Sequence, residues 1–420
     1  MAHDIILDVS RLLSRAESPA PSGIDRVELI YAEHLIAWVP ERLRYLAVVP
    51  PGRAALLPAP LVKEFLAALA SRWTAGAAID TVRRLAWRLR IAALRGGGGR
   101  ASPGSAYLLL SHHHLDKPDL IAAILRRHRA RLVCLMHDLI PLDFPEYSRP
   151  TEPARHQLRI ETVAKFAEAV VAVSDTVQAA LQRTLRKVNG GTPARVHSVP
   201  HGATRHAPKA STGSLGPVLG SRPYFVCVGT IEPRKNHLLL LAVWRRLEEE
   251  MGDATPRLVL VGRRGWENEN ILAMLDRCPG LRDVLVEREG LPDGELYPLL
   301  AGARALLFPS FVEGYGLPLA EALAQGVPAL CSDIEALREV GAGVPEYLDP
   351  LDGLGWRRAV LDYLPEGSIR RAAQVERIGT WTMPSWDESV RGMLAVIDDL
   401  PGATPPLPLA SLQLDQRRAE

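Results

Sequence analysis

Two carboxylates frame a glycine-rich loop in the second half of this 420-residue chain. Glu313 precedes Gly314 and Gly316, and Glu321 follows Glu313 after seven intervening residues, in the segment "FPSFVEGYGLPLAEALAQGVPALCSDIE". Each carboxylate can accept hydrogen bonds from two neighbouring O–H groups, and glycines let the backbone approach a ligand closely. The pattern suits the binding of sugar hydroxyls, although an ordinary turn with two solvated glutamates would give the same sequence.

A second loop carries two adjacent cations. In "YFVCVGTIEPRKNH" a buried strand, Tyr224 to Gly229, is predicted to lead into Arg234 and Lys235. A helix should follow, with Asn236 as its N-cap. Two cations beside a helix N-terminus favour a diphosphate site, and a solvated basic turn is the alternative.

The elements around the glycine loop are those of a parallel α/β layer. The apolar run "ARALLF" predicts a strand before the loop, and "VPALCS" predicts another after a short helix. Pro318 suits the first turn of that helix, and Gly326 suits its end. Ligands of such layers bind outside the carboxyl ends of the strands, which is where the loop falls. Glu321, about one turn into the helix, should face the mouth of the loop.

Histidines follow two predicted strands of the first half. The run "RLVCLM" predicts a buried strand that delivers His137 and Asp138 at its carboxyl end, the site-forming end of an open parallel sheet. His112, His113 and His114 follow the strand predicted from "AYLLL". Adjacent side chains of a strand point to opposite faces, so these three are interpreted as a turn and not as a metal site.

These segments together resemble glycosyltransferase family 4, the retaining nucleotide-sugar glycosyltransferases, and within it bacterial mannosyltransferase-like members. The resemblance rests on "VGTIEPRKNH", "LVGRRGWENENI" and "FPSFVEGYGLPLAEALAQGVPALCSD", and more thinly on "PSGIDRVELIYAEHL" and "HDLIPLDFPEY" in the first half. It implies the GT-B architecture of the α/β class, in which two Rossmann-like parallel-sheet domains face each other across a cleft.

The resemblance also implies roles for individual residues. Arg234 and Lys235 would stabilise the charge that develops on the leaving diphosphate. Glu313 would bind sugar hydroxyls, Glu321 would hold the ribose, and His137 would contact the transferred sugar from the opposite wall. The expected catalytic residues are His137, Arg234, Lys235 and Glu313, and the expected donor-binding residues are Gly23, Gly229, Arg234, Lys235, Glu313, Gly314, Tyr315, Gly316, Leu317 and Glu321.

The chain departs from the family's pattern in two places. Gly23 stands alone where the family usually carries a double glycine facing the donor phosphates, and His201-Gly202 occupies the place of a common Asn-Gly. No Asp-x-Asp triplet occurs, so no obligatory metal clamp is expected. The nucleotide sugar is expected as a substrate, and no cofactor is expected.

Length and linker composition predict two domains. A chain of 420 residues can bury two full cores, and "ATRHAPKASTGSLGPVLGSR" has the composition of a linker. The family implies that a final helix, in "TWTMPSWDESVRGMLAVIDDL", crosses back to the first domain. The expected organisation is an N-terminal Rossmann-like acceptor domain over 1–205, a linker over 206–222, a Rossmann-like nucleotide-sugar donor domain over 223–380, the closing helix over 381–400 and a loose tail over 401–420.

The composition is that of a globular protein, with 47% hydrophobic and 23% charged residues. No uncharged apolar run reaches about 18 residues, and the start "MAHDIILD" carries acids and no basic segment, so neither a membrane span nor a secretory signal is expected. The four cysteines fit no zinc spacing and are interpreted as core residues in a reducing compartment. We therefore expect a cytoplasmic protein without a nucleic-acid partner.

Charge is distributed unevenly along the chain. Residues 1–210 hold 29 Lys+Arg against 18 Asp+Glu, a net charge of +11, and residues 211–420 carry −9. Six of these arginines lie in residues 80–100, "DTVRRLAWRLRIAALRGGGGR", which predicts an amphipathic helix with Trp87 near the border of its apolar face. Such a helix can lie on the anionic inner face of a membrane, and a solvated basic face packed on the domain is the alternative.

The expected function is that of a retaining glycosyltransferase. It would move a hexose, with mannose from GDP-mannose as the family suggests, to a glycan or lipid-linked acceptor in cell-surface polysaccharide synthesis. One alternative is a nucleotide-sugar 2-epimerase of the same architecture, which would form product without an acceptor. A non-catalytic sugar-binding module is the other, and it would not need the two cations beside the helix start.

Overall fold

Two β-sheets form the frame of the molecule in the computed structural model, which describes residues 3–96, 101–189, 195–206 and 216–401. The first sheet has seven strands in the order β3-β2-β1-β4-β5-β6-β7, all parallel except the antiparallel pair β2 and β3 at one edge. Its strands are β1 (Ile5–Asp8), β2 (Leu43–Val49), β3 (Arg53–Leu57), β4 (Ala106–Leu109), β5 (Arg131–Met136), β6 (Ala167–Ala172) and β7 (Arg195–Ser198).

The second sheet has six strands, all parallel, in the order β10-β9-β8-β11-β12-β13. In chain order this is 3-2-1-4-5-6, the doubly wound order in which ligands bind where the strand order reverses. That reversal lies between β8 and β11, so the loops that follow these two strands meet there. The strands are β8 (Tyr224–Val228), β9 (Arg257–Val261), β10 (Leu285–Arg288), β11 (Leu306–Phe308), β12 (Ala329–Ser332) and β13 (Glu346–Leu348).

Helices connect the strands and cover both faces of each sheet. They are α1 (Ser10–Ser14), α2 (Gly23–Trp38), α3 (Ala59–Ala75), α4 (Ile79–Leu94), α5 (Pro118–His128), α6 (Ile140–Asp143), α7 (Glu152–Phe166), α8 (Asp175–Asn189), α9 (Gly216–Leu219), α10 (His237–Met251), α11 (Glu269–Arg277), α12 (Asp293–Ala301), α13 (Leu317–Ala324), α14 (Glu335–Gly341), α15 (Gly353–Tyr363), α16 (Ile369–Gly379) and α17 (Trp386–Asp398). The central strands are largely apolar because helices bury them on both faces, as in β5, where all residues after Arg131 are buried.

The last helix returns to the first half of the chain. Helix α17 packs against α2, where the hydroxyls of Tyr31 and Ser389 lie 2.8 Å apart and the rings of Tyr31 and Trp386 meet edge to face at 6.3 Å. Within the segment expected as a linker, residues 207–215 lie outside the described residues and 216–219 form α9. The expected tail lies outside them from residue 402 onward.

The arginine-rich segment forms helix α4. Its apolar side chains Val82, Leu85 and Leu89 are buried against the first half of the chain, whereas Trp87 is 62% exposed and Leu94 46% exposed. Residues 97–100, which include most of the glycine run, lie outside the described residues. In the part of the chain that the structure describes, no helix is long and apolar enough to cross a membrane.

Candidate active site

A cleft lies between the carboxyl ends of the two sheets and brings the predicted site residues together. Its larger cavity, of about 550 Å³, is lined by His137, Arg234, Lys235, Glu313, Gly314, Tyr315 and Gly316 among others. An adjoining cavity of about 220 Å³ contains Glu321, and Gly23, Gly229 and Leu317 line both cavities. Every residue that sequence reasoning selected for the site therefore lies along one continuous cleft, at the reversal point of the second sheet.

The two cations and the first carboxylate of the glycine loop form one buried cluster. Lys235 Nζ lies 2.5 Å from Glu313 Oε1, and Arg234 Nη1 donates to Glu313 Oε2 at 2.9 Å. Burial disfavours the charged form of Glu313, but the two cations outweigh it and lower its pKa to about 2. Burial lowers the pKa of Lys235 despite the opposing charge of Glu313. The carboxylate therefore holds both cations in place at the floor of the cleft.

A second acid belongs to this cluster and was missed from the sequence. Glu232 is 2% exposed, and its Oε1 lies 2.6 Å from Arg234 Nε. It stands two residues before Arg234, in the extended segment that enters the short 3₁₀ turn Pro233–Lys235. The signal in the sequence was the position of this acid, close to an arginine that was predicted to bind phosphate. Arg234 is consequently held by two carboxylates, which fixes the direction of its guanidinium.

Asn236 occupies the N-cap position of helix α10, as expected, but its side chain does not cap the helix. Asn236 adopts a left-handed conformation (φ +54°), and its side chain makes no hydrogen bond to the helix start. Its Nδ2 donates instead to the carbonyl oxygen of Pro350 at 2.9 Å. Asn236 therefore anchors the loop that carries Arg234 and Lys235 to the loop after β13.

The glycine loop touches the first half of the chain. A Cβ at Gly314 would lie 2.1 Å from the carbonyl oxygen of His137, so no other residue fits there without a backbone shift. Gly316 has φ +105° at the N-cap of α13, a conformation that L side chains rarely adopt. Tyr315 is buried between them, and its hydroxyl donates to the carbonyl oxygen of His201. The loop is thus shaped by close packing across the cleft.

His137 lies on the wall opposite the cations. Its Nε2 lies 2.8 Å from the carbonyl oxygen of Leu110, which can only accept, so Nε2 carries the proton and Nδ1 is a hydrogen-bond acceptor. Burial lowers the pKa of His137 to about 4, and the imidazole is therefore neutral at pH 7. A neutral ring with a free lone pair suits contact with a sugar hydroxyl.

Glu321 lies in a second polar cluster that spans the two halves. Tyr297 donates from its hydroxyl to Glu321 Oε1 at 3.1 Å, and Arg26 Nε lies 3.4 Å from the same oxygen. Arg26 also donates two hydrogen bonds to Asp293, at 2.7 and 2.8 Å. Burial raises the pKa of Glu321, while the charge of Arg26 opposes that shift. Arg26 directly follows Asp25 in the sequence, but nothing in that stretch of sequence indicates that Arg26 contacts Asp293 and Glu321.

Gly23 begins helix α2 at the edge of both cavities. The hydroxyl of Ser22 accepts from the backbone N–H of Asp25, and the Asp25 carboxylate accepts from the backbone N–H of Ser22, which forms a capping box. A Cβ at Gly23 would meet the side chain of Leu317 at 3.5 Å. This helix start therefore faces the glycine loop across the cleft.

The histidines after β4 form a turn, as the sequence indicated, but one of them reaches the cleft. His112 lines the larger cavity, and its ring centroid lies 5.5 Å from that of His137. His113 packs against His114 instead. Over residues 3–96, 101–189, 195–206 and 216–401, no group of three His, Cys, Asp or Glu side chains could hold a metal ion.

Several known proteins are similar in sequence to this chain. The family model described as "Glycosyl transferases group 1" matches residues 222–364. O-antigen chain mannosyltransferase B of Escherichia coli is 30% identical over 264 residues, which cover 61% of this chain and 67% of that protein. The serotype-specific mannosyltransferase WbdA of Escherichia coli is 31% identical over 235 residues, which cover 53% of this chain and 29% of that protein. The chain therefore spans two thirds of the length of the first relative and under a third of the second.

The architecture also matches solved structures. The crystal structure of Anabaena Alr3699/HepE in complex with UDP-glucose aligns with a TM-score of 0.60 at 14% identity, over 93% of this chain and 98% of that chain. At this identity the likeness concerns the fold, and it confirms the expected GT-B arrangement of two doubly wound sheets. The relatives and the family model show that the chain belongs to the group 1 glycosyltransferases, the family 4 enzymes that its motifs resemble.

Proposed function

We propose that this glycosyltransferase moves a mannosyl group from GDP-mannose to a glycan or lipid-linked acceptor, with retention of configuration, in the synthesis of a cell-surface polysaccharide. The observation that carries the proposal is the buried cluster of Arg234, Lys235 and Glu313 at the reversal point of the second sheet. The choice of mannose is supported by the O-antigen mannosyltransferases to which the chain is similar.

In this proposal the cations take the diphosphate. Arg234 and Lys235 line the larger cavity, where their partial burial strengthens their interaction with charge that develops on a leaving group. Glu313 uses one lone pair of each oxygen on the cations, and a carboxylate offers about four, so it can still accept from sugar hydroxyls. His137 Nδ1 would accept from a hydroxyl of the same sugar on the opposite wall.

The smaller cavity suits the nucleoside. Glu321 lines it, and among the described residues Tyr297 and Arg26 both contact its Oε1, so Oε2 can accept from the ribose diol. We accordingly assign residues 223–380 to the donor and residues 1–205 to the acceptor, with α17 joining the two. No metal takes part in this scheme, since two cations already face the diphosphate.

For the acceptor we propose a loose contact with the inner membrane face through α4. Arg83, Arg84, Arg88 and Trp87 are exposed on the side of α4 that turns away from the core. Anionic membrane surfaces attract such residues by about 1 kcal/mol per basic side chain, an attraction that salt screens. Co-sedimentation with anionic and neutral liposomes tests this, with Arg83, Arg84 and Arg88 replaced by Ser. Binding that does not depend on lipid charge would exclude the contact.

A screen of nucleotide sugars tests the proposed donor. GDP-mannose should raise the apparent melting temperature more than GDP-glucose or UDP-glucose, because a tight ligand stabilises the folded state by mass action. GDP-mannose with a mannose-terminated oligosaccharide should then yield a longer oligosaccharide whose new linkage is α. Formation of a C2-epimerised sugar without any acceptor would show that the protein is an epimerase and not a transferase. Stabilisation by a different nucleotide sugar would overturn the choice of mannose.

A further inference from the structure

Helix α7 presents a polar stripe to the larger cavity, on the first-sheet side of the cleft. Glu152, His156 and Arg159 are spaced four and three residues apart, so they lie on one face of the helix, and all three line the cavity. Two of them are deeply buried, His156 at 1% and Arg159 at 8% exposure. Buried polar residues on a helix that could have packed apolar side chains require a reason.

Hydrogen-bond donors in this stripe are left without partners. Arg159 Nη1 lies 3.2 Å from His156 Nδ1, and because a guanidinium only donates, the proton of His156 sits on Nε2. Within the described residues, neither His156 Nε2 nor Arg159 Nε has a partner that meets hydrogen-bond geometry. The backbone of Asp138 lies close enough to His156 to oppose the lowering of its pKa, so Arg159 Nε is the N–H group with no acceptor nearby, and a ligand in the cavity can supply one.

A neighbouring histidine extends the same surface. The backbone N–H of His137 donates to His112 Nε2 at 3.1 Å, so the proton of His112 sits on Nδ1. The ring of His112 lies 5.1 Å from that of His156, centroid to centroid. Burial lowers the pKa of both imidazoles, which are neutral at pH 7.

The stripe carries no net charge. Arg159 Nη1 donates to Glu152 Oε2 at 3.1 Å, so its charge is balanced locally. Burial works against ionisation of Glu152, but the nearby arginines outweigh it and lower its pKa. A site that offers N–H donors and carboxylate oxygens without net charge matches neutral hydroxyls better than a phosphate or a carboxylate.

We propose that His112, Glu152, His156 and Arg159 form the acceptor subsite, and that it takes a neutral sugar by a pair of its hydroxyls. The inference rests on the proposed transfer reaction, and it adds the residues and the chemical class of the acceptor. His156 and Arg159 donate to the hydroxyl oxygens, and Glu152 accepts from the hydroxyl protons. The subsite orients the acceptor across the cleft from Arg234 and Lys235.

The test compares His156→Leu and Arg159→Met with Lys165→Met in the full-length protein. Lys165 lies near the end of the same helix, is exposed, and does not line the cavity. Transfer from GDP-mannose to a fluorescently tagged α-mannobiose is measured over a range of acceptor concentrations. Donor hydrolysis without acceptor is measured in parallel, and thermal unfolding confirms that each variant is folded.

Loss of one buried hydrogen bond should raise the acceptor KM about tenfold in His156→Leu and at least tenfold in Arg159→Met. Donor hydrolysis should stay within about twofold in both, and His156→Gln, which retains an N–H donor, should recover part of the loss. Lys165→Met should match the parent, and a mannobiose phosphorylated on its terminal sugar should be a poor acceptor. An unchanged acceptor KM in both variants, or a preference for the phosphorylated acceptor, would overturn the subsite.

A binding measurement separates this inference from the proposed reaction. If the parent protein does not release nucleotide from any nucleotide sugar tested, the proposed function has failed. Binding to the subsite is then measured by NMR of ¹⁵N-labelled imidazoles. A change in the His156 ring signals on adding α-mannobiose, absent in Arg159→Met, would support the subsite independently of turnover. Unchanged signals in the parent would refute it.

Discussion

Replacing Glu313 by Gln should destabilise the protein strongly at neutral pH. The carboxylate is the shared counter-charge of Arg234 and Lys235, and its side chain is 8% exposed, so the two cations would be left buried and facing a neutral amide. A carboxyl whose pKa is about 2 in the folded protein, against an ordinary value of 4.5, contributes about 3 kcal/mol to the free energy of unfolding. This agrees with the cost of about 3–5 kcal/mol for breaking a buried ion pair by removing one partner.

The stabilisation by Glu313 should depend on pH in a defined direction. Because the folded-state pKa of Glu313 is the lower one, its contribution is present above the ordinary value of 4.5 and is lost as pH falls through that value towards 2. The difference in stability between the parent and Glu313→Gln should therefore be largest near pH 7. It should shrink to about half by roughly pH 3.

Thermal unfolding of both proteins from pH 7 downward, followed by tryptophan fluorescence, measures the difference. For a unit of about 150–250 residues, 1 kcal/mol corresponds to about 2–4 °C, so the melting temperature of Glu313→Gln should fall by roughly 6–12 °C at pH 7. Glu249→Gln is the matched control, because Glu249 makes an exposed helix pair with Arg245 that is worth about 0.3–0.5 kcal/mol. A fall of under about 2 °C, or a gap that widens as pH decreases, would refute the reasoning.

Three further outcomes follow from the site. Arg234→Ala and Lys235→Ala should each weaken the binding of GDP by about 1.5–3 kcal/mol, measured by titration calorimetry, and unchanged affinity in both would remove the diphosphate assignment. Glu321→Gln should weaken GDP binding while the fold is kept, because Arg26 stays paired with Asp293; GDP binding as tight as in the parent would exclude the ribose role. Transfer activity should survive EDTA, because two side-chain cations face the diphosphate, whereas complete loss that Mn²⁺ or Mg²⁺ restores would show a metal requirement.

Strand positions and the edge at which ligands bind could be predicted from the sequence. The strand predicted as Tyr224 to Gly229 is observed as Tyr224–Val228, because a buried parallel strand requires a continuous apolar run. Such runs end where the loops begin, and the doubly wound order then brings the loops after β8 and β11 to one point. This is why the cations and the glycine loop were placed correctly relative to the sheets.

Side-chain partners could not be predicted, because they depend on how distant loops meet. Glu313 binds a lysine 78 positions earlier, and Arg26 binds an aspartate 267 positions later. Asn236 was expected to cap a helix, but an acceptor 114 positions away captures its side chain. Local sequence sets which residue can cap or pair, whereas tertiary contacts decide which partner is reached.

The contacts of Arg26 that join the two halves of the chain are compatible with a nucleotide sugar bound in the cleft. Arg26 holds α2 to α12 through its bidentate pair with Asp293, at the edge of the cavity assigned to the nucleoside. Its contact with Glu321 is longer, 3.4 Å, and it shares one oxygen with Tyr297. A ribose diol can therefore bind the other oxygen of Glu321 without breaking the stronger Arg26–Asp293 pair. In the proposed scheme, nucleoside binding then does not compete with the Arg26–Asp293 pair, and the charge of Arg26 favours the ionised form of Glu321.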